Sequence, residues 1–167
     1  LWEKAAREGA VYAMTKCAMV ASARMQKAVE SGDSKAMARY ARAYESWLKQ
    51  ASDGGDALAQ MELGDLWRVG MIGAITIDRS ASFQEYRTAA DSGISLPLLK
   101  LSMSYYQGWG CRVNTRKGEA LLLDAVAASR REENPKLLRE IEDVLAEKDA
   151  AARANALGDL LEWPAIN

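Results

Sequence analysis

Histidine is absent from this chain, and phenylalanine occurs once. The missing imidazole removes the Ser-His-Asp and Cys-His nucleophile pairs, the usual general base near neutral pH and the commonest metal ligand. Cysteine is scarce. Cys17 takes a buried helix position and Cys111 lies in a loop more than two helices further along. Neighbouring helix axes stand about 8–10 Å apart, so two free thiols are expected rather than a bridge. Only three prolines interrupt the chain, Pro97, Pro135 and Pro164. Pro97 falls near the third position of a helix and Pro135 where one should begin, and both places tolerate a missing N–H. No apolar run approaches the ~18 residues of a membrane span, and no signal peptide is visible. Neither sign of charge prevails: 22 basic and 23 acidic side chains leave a net charge of −1. The electrostatic footprint of a nucleic-acid binder is therefore missing, and no nucleic-acid partner is expected.

Catalytic candidates are correspondingly thin. Glu62 with Asp65, and Glu140 with Asp143, stand at i, i+3 and read as surface helix residues. No G-x-x-x-x-G-K-[ST] loop occurs, and no G-x-G-x-x-G follows a strand. We expect no enzyme, no cofactor and no metal site. The mixed-sign runs ASRREENPKLLRE and AEKDAAARAN read as solvated helix faces.

What the chain does contain is a repeat. GDALAQMELGDLWRVG, Gly55 to Gly70, returns as GISLPLLKLSMSYYQG, Gly93 to Gly108. From each opening glycine a small residue or proline follows at plus four (Ala59, Pro97). A Leu-small pair stands at plus eight and nine (Leu63-Gly64, Leu101-Ser102). An aromatic comes at plus twelve (Trp67, Tyr105) and a glycine at plus fifteen (Gly70, Gly108). A weaker copy from Gly9 keeps Ala13 and Ala18 but loses the aromatic and the closing glycine. The interval is 38 residues (93 − 55), and 36 from Gly93 to its counterpart Ser129 (129 − 93). The two-residue difference falls in the loops, GMIGAITID against GWGCRVN. A fixed interval of this length marks an array of structural units.

A second signature precedes each opening residue: WEKAAREG, WLKQASDGG, EYRTAADSG and LLLDAVAAS. The small pairs Ala5-Ala6, Ala51-Ser52 and Ala89-Ala90, and Ala125, let a neighbouring helix approach closely. The terminal glycine suits the left-handed turn that ends many helices. The expected helices lie at 1–8, 10–30, 35–53, 56–69, 79–91, 95–107, 115–128 and 135–162, about eight in all. Asp33 or Ser34, and Asp78, are the expected N-caps. AITI at 74–77 is the one β-flavoured run and belongs to a loop. The last helix runs unbroken or breaks near Gly158. Trp67 and Tyr105 are expected in the core.

The pattern G-x-x-x-A-x-x-x-L-G-x-x-Y/W-x-x-G, a loop, then D-x-x-x-A/S-x-x-x-Y-x-x-A-A-x-x-G resembles the Sel-one-like repeats, relatives of the tetratricopeptide repeats. Gly55 to Gly70 with Asp78, Ser82, Tyr86, Ala89, Ala90 and Gly93 is a nearly complete copy. The resemblance implies an all-α, right-handed α-solenoid of helix-turn-helix repeats. It divides the single domain 1–167 into degenerate repeats at 1–54, clear repeats at 55–92 and 93–129, and a C-terminal cap at 130–167. It also implies a concave wall lined by the first helix of each unit. The offsets put Tyr12, Thr15, Met19, Ser22 and Ala23 there, with Leu58, Met61, Asp65, Arg68 and Val69, and Leu96, Leu99, Met103, Tyr106 and Gln107. The expected partner-binding set is Tyr12, Met19, Met61, Asp65, Arg68, Leu99, Met103, Tyr106 and Gln107, with Trp109 from the loop.

For the methionines and leucines two readings stand: core, or an adaptable contact surface. Trp109 either packs on the next helix or is displayed. The implied function is a non-catalytic protein-protein interaction module, bacterial, in an immunity or chaperone-type form for a cognate effector. A structural spacer or oligomerisation domain of a larger envelope or signalling protein is the alternative, and a homo-oligomer is compatible with both. The family favours a periplasmic or envelope location. The chain opens without methionine and in mid-motif, so a longer parent protein is expected.

Overall fold

The computed structural model describes residues 2–163; Leu1 and 164–167, including Pro164 and the end of the expected cap, lie outside them. The described residues form nine helices: α1 Trp2–Arg7, α2 Val11–Glu30, α3 Ser34–Asp53, α4 Ala57–Val69, α5 Arg79–Ala90, α6 Ser95–Gln107, α7 Thr115–Arg131, α8 Pro135–Ala146 and α9 Ala150–Leu160. The single bridge between Met71 and Ile75 leaves the AITI run in a loop, as its position between two helices predicts. The starts obey local chemistry. Asp33 accepts from the Ala36 N–H, Asp56 from Leu58 and Ala59, Asp78 from Ala81, and Asn114 from Lys117. Each cap satisfies amide hydrogens that a first helical turn leaves without an internal partner.

The chain falls into two compact units, one ending at Glu85 and one starting at Tyr86. In the first, Ala18, Ala41, Leu48, Ala51, Ala59, Leu63, Leu66 and Ile75 form one core, and Ala6, Ala13 and Cys17 form another. In the second, Tyr86, Leu99, Met103, Leu122, Ile141 and Leu157 are the large fully buried side chains. The alanine notches do what their spacing predicts. Ala59, Ala89 and Ala90 are buried, and so is Gly64. Small side chains there let helices close to contact distance, where dispersion is gained along their whole length.

The two clear repeats share three further details. The Asp78 N–H donates to the Trp67 carbonyl at 2.9 Å, and the Asn114 N–H to the Tyr105 carbonyl at 2.9 Å. The closing glycines Gly70 and Gly108 have positive φ, and a Cβ there would meet Ile77 Cγ1 at 2.7 Å or Val113 Cγ2 at 2.9 Å. Only glycine meets both demands without strain. Where the two helices of a repeat cross, Ser82 Oγ donates to the Gly64 carbonyl at 2.8 Å, and Ser102 Oγ to the Gly118 carbonyl at 2.8 Å. Gly64 and Ser102 hold the same offset, so serine and glycine have changed places between the two copies while the hydrogen bond survives.

Three expectations need correction. The last segment is two helices, broken at 147–149 rather than near Gly158. Asp149 starts α9 by accepting from the Ala152 N–H, and Gly158 is buried inside that helix. The counterpart of Gly93 is Glu133, not Ser129. Helix α7 runs through Ser129 to Arg131, and the left-handed turn falls on Glu133 at φ 53, with Asn134 capping α8. Trp67 and Tyr105 are half-buried at the core's edge. Each has a cation on its ring face, Lys49 at 5.2 Å and Lys117 at 5.3 Å. Trp67 Nε1 also donates to Glu45 Oε1 at 2.8 Å, so its polar edge holds it at the rim.

Candidate protein-binding face

The first residues of the candidate set lie on α2. Tyr12 is 63% exposed and Met19 55% exposed. The Tyr12 ring meets Trp2 edge-on at 5.7 Å, Lys16 Nζ lies 5.0 Å from its centroid, and the same ammonium reaches Met19 Sδ at 3.9 Å. Tyr12, Lys16 and Met19 are thus one strip, aligned because three- and four-residue steps share a helix face. Thr15, one step inward, donates to Asp56 Oδ2 at 2.8 Å and so ties α2 to the start of α4. The strip stands on a braced helix.

On α4 the set divides. Met61 is buried in the core, which resolves its double reading in favour of packing. Asp65 and Arg68 form an ion pair at 3.7 Å, with the Arg68 side chain 10% exposed. One turn back, the Tyr44 hydroxyl donates to Glu62 Oε2 at 2.9 Å. Burial drives the Tyr44 phenol well above its ordinary pKa, and the Glu62 charge adds to the rise. These groups already satisfy one another, so they offer a partner a polar rim more than an anchor.

In the second unit the offsets point to residues that solvent does not reach. Leu99 and Met103 are fully buried, and Tyr106 and Trp109 are buried. Helices α7 and α9 both pack on α6. A Cβ on Gly158 would stand 3.2 Å from Met103 Cε, so this glycine lets α9 settle onto the methionine. Trp163 follows α9 and closes on the Tyr86 ring at 5.6 Å and the Trp109 ring at 6.3 Å. Arg153 of α9 pairs with Glu119 of α7. Tyr106 lies against Gly118, where a Cβ would meet the ring at 2.9 Å. Its hydroxyl is shielded and has no hydrogen-bond partner among the described residues, and burial, followed by the Glu119 charge, raises its pKa. Gln107 is half-buried with Oε1 shielded from solvent. The contact set therefore reduces, on the surface, to Tyr12 and Met19 with Asp65, Arg68 and Gln107 partly accessible. Leu99, Met103, Tyr106 and Trp109 pack inside: α9 meets Met103, Trp163 meets Trp109, and Gly118 of α7 meets Tyr106.

One surface feature escaped the offset rule. A pocket of about 340 Å³ opens between α1, α2 and α3, walled by Trp2, Val20, Tyr40 and Trp47. Its residues come from the degenerate copies, where the repeat numbering fails. The aromatic spacing Tyr40–Trp47 on one helix was the available signal.

Cys17 and Cys111 are free, and burial pushes both thiols above their ordinary pKa. Among the described residues no three His, Cys, Asp or Glu side chains gather as metal ligands, and no helix is long and apolar enough to cross a membrane.

No family model and no curated protein matches the chain. Solved structures do. A Sel1 repeat protein from Oxalobacter formigenes is 23% identical, over 85% of this chain and 95% of that one, with a TM-score of 0.61. A protective antigen present in uropathogenic Escherichia coli strains, displaying an SLR fold, is 20% identical over 96% of this chain with a TM-score of 0.52. This chain spans 39% of that antigen's length. At such identities the likeness shows the fold: an all-helical array of Sel1-like helix-turn-helix repeats.

Proposed function

We propose, with the Sel1-like repeat fold as premise, that this chain is a non-catalytic protein-interaction module whose contact surface is centred on the exposed strip of α2. The carrying observation is the exposure of Tyr12 and Met19 on a helix held in place by the Thr15–Asp56 bond. Tyrosine and methionine supply area at a contact, and a preformed face leaves little ordering cost on this side. Repeat arrays use such faces for protein partners. The partner is a protein rather than a nucleic acid, in keeping with the near-neutral charge. Both named structural neighbours are bacterial proteins, which supports a bacterial setting. There we place the chain in the periplasm or envelope, in an immunity or chaperone-type role toward a cognate effector.

The test is capture of a partner from the source cell, followed by mass spectrometry, with wild-type chain and a Tyr12→Ala, Met19→Glu variant. We expect one partner to be lost from the variant while its helical circular dichroism stays unchanged. An anchor of this kind contributes roughly 2 kcal/mol, about thirtyfold in affinity. Equal capture by both proteins would overturn the assignment. The spacer or oligomerisation reading draws on the second unit, whose matching face is filled from within; a chain that only self-associates would favour it.

A further inference from the structure

The pocket between α1, α2 and α3 has an electrical character that its shape alone does not reveal. Its walls are aromatic and aliphatic: Trp2, Val20, Tyr40 and Trp47. Two guanidinium groups from different helices converge on one of those walls. Arg39 stands 4.7 Å from the Tyr40 ring centroid and donates to the Tyr40 hydroxyl at 2.8 Å. Arg24 stands 6.0 Å from the same centroid. Among the described residues neither arginine has a carboxylate partner. The pocket's one acid, Glu3, is engaged by Arg7 at 3.6 Å. Cys17 also lines the pocket, and burial, followed by the Glu3 charge, raises its pKa.

Both arginines are exposed, and each lies within reach of the Tyr40 ring, which gives this wall of the pocket a positive character. A carboxylate brought to this wall would accept charge-assisted hydrogen bonds from these planar groups. Beside it, about 340 Å³ of apolar space remains for a side chain. That volume lies at the lower end of ligand pockets, about 300–1,000 Å³, and suits one anchor rather than an extended ligand.

We propose that this pocket docks an acidic segment of the partner protein, taking one large apolar side chain against Trp2 and Trp47 and an adjacent Asp or Glu between Arg24 and Arg39. The proposal rests on the interaction reading above and specifies the chemistry of the partner. Trp2 joins the pocket to the strip on α2, since it walls the one and stacks on Tyr12 of the other. A single partner therefore engages both.

The probe is a fluorescein-labelled Gly-Ser peptide carrying one Phe-Asp-Glu step, read by anisotropy against the full chain. Three further peptides replace Asp-Glu by Asn-Gln, Phe by Ala, and Asp-Glu by Lys-Lys. We expect saturable binding of the acidic peptide, roughly tenfold weaker binding of the amide and Ala forms, and a like loss in Arg24→Glu, Arg39→Glu. The basic peptide should prefer that doubly reversed variant over wild type, a gain that misfolding cannot imitate. Equal binding of acidic and amide peptides, or no binding of either, overturns the proposal. So does a concentration-dependent dimer in sedimentation that the double reversal abolishes, which would give the pocket to a second copy. If the peptides fail while cellular capture is still lost in Tyr12→Ala, Met19→Glu, the interaction reading stands and this assignment alone falls.

Discussion

Met19 and Met103 occupy the same offset from their opening glycines, yet one is 55% exposed and the other 1%. Both belong to the first helix of a unit, on the face that the repeat pattern leaves for a partner. In the unit ending at Glu85 that face of α2 keeps Tyr12 and Met19 more than half exposed, with the Trp2 ring against Tyr12. In the unit starting at Tyr86, α9 packs over Met103, Trp163 over Trp109 and α7 against Tyr106, and these residues are core, with Leu99. The difference teaches that offset assigns a residue to a face, while exposure depends on what else the chain brings to that face.

The strongest way to break the contrast is to remove its cause. Trp163→Ala should cost about 3–5 kcal/mol, the range for a large buried aromatic. Hydrogen exchange should show α6 losing protection while α2 keeps its own. Tyr12→Ala, at the open face, should change stability by less than about 0.5 kcal/mol. Comparable losses for the two substitutions would mean that α9 does not shield α6 as described.

A smaller effect probes the packing beneath the covered face. Gly118→Ala places a methyl 2.9 Å from the Tyr106 ring, and overpacking of this kind costs about 1–3 kcal/mol. The denaturation midpoint in urea should fall accordingly. An unchanged midpoint would show that Tyr106 moves aside freely.

Much of this was legible in the sequence. The glycine offsets gave the helix pairs, Asp33 and Asp78 gave their starts, and the alanine pairs gave the buried seams, because each of these is set by neighbours within a few residues. Three matters were not legible, and each has a physical reason. The break at 147–149 depends on Asp149 capping a helix that propensity alone would have continued. The burial of Met103 depends on a helix more than forty residues later that carries none of the repeat's marks. The turn at Glu133 carries no local mark, because the fold places a charged residue where the other repeats have glycine.

That turn offers a gain rather than a loss. Glu133 adopts φ 53, a conformation that an L side chain enters at a cost of roughly 1–2 kcal/mol. Its counterparts Gly55 and Gly93 adopt it freely. Glu133→Gly should therefore stabilise the chain by about 0.5–1 kcal/mol net of glycine's greater freedom when unfolded, and raise the melting temperature by a few degrees. A lower melting temperature would contradict the equivalence of these turns.

The smallest expected effect lies in the first unit. Burial raises the Glu85 carboxyl above its ordinary value; the Ser52 hydroxyl donating at 2.8 Å pulls it down, and Asp53 pushes it up. A folded pKa above the unfolded one means that this group's contribution is full below the unfolded value and is lost as pH rises through the folded one. Glu85→Gln should thus gain on wild type as pH is raised from about 4 to about 7, with the two converging in acid. A gap that narrows with rising pH would reverse the sign of this assignment.

The exchange of serine and glycine between the two crossings makes each pair a single inherited character. At Gly64–Ser82 the second helix reaches across; at Ser102–Gly118 the first one does. A second serine in place of Gly118 would bring a Cβ to 2.9 Å from the Tyr106 ring, and a glycine in place of either serine would leave the facing carbonyl without its hydroxyl. A change of one partner alone should therefore cost stability at its crossing.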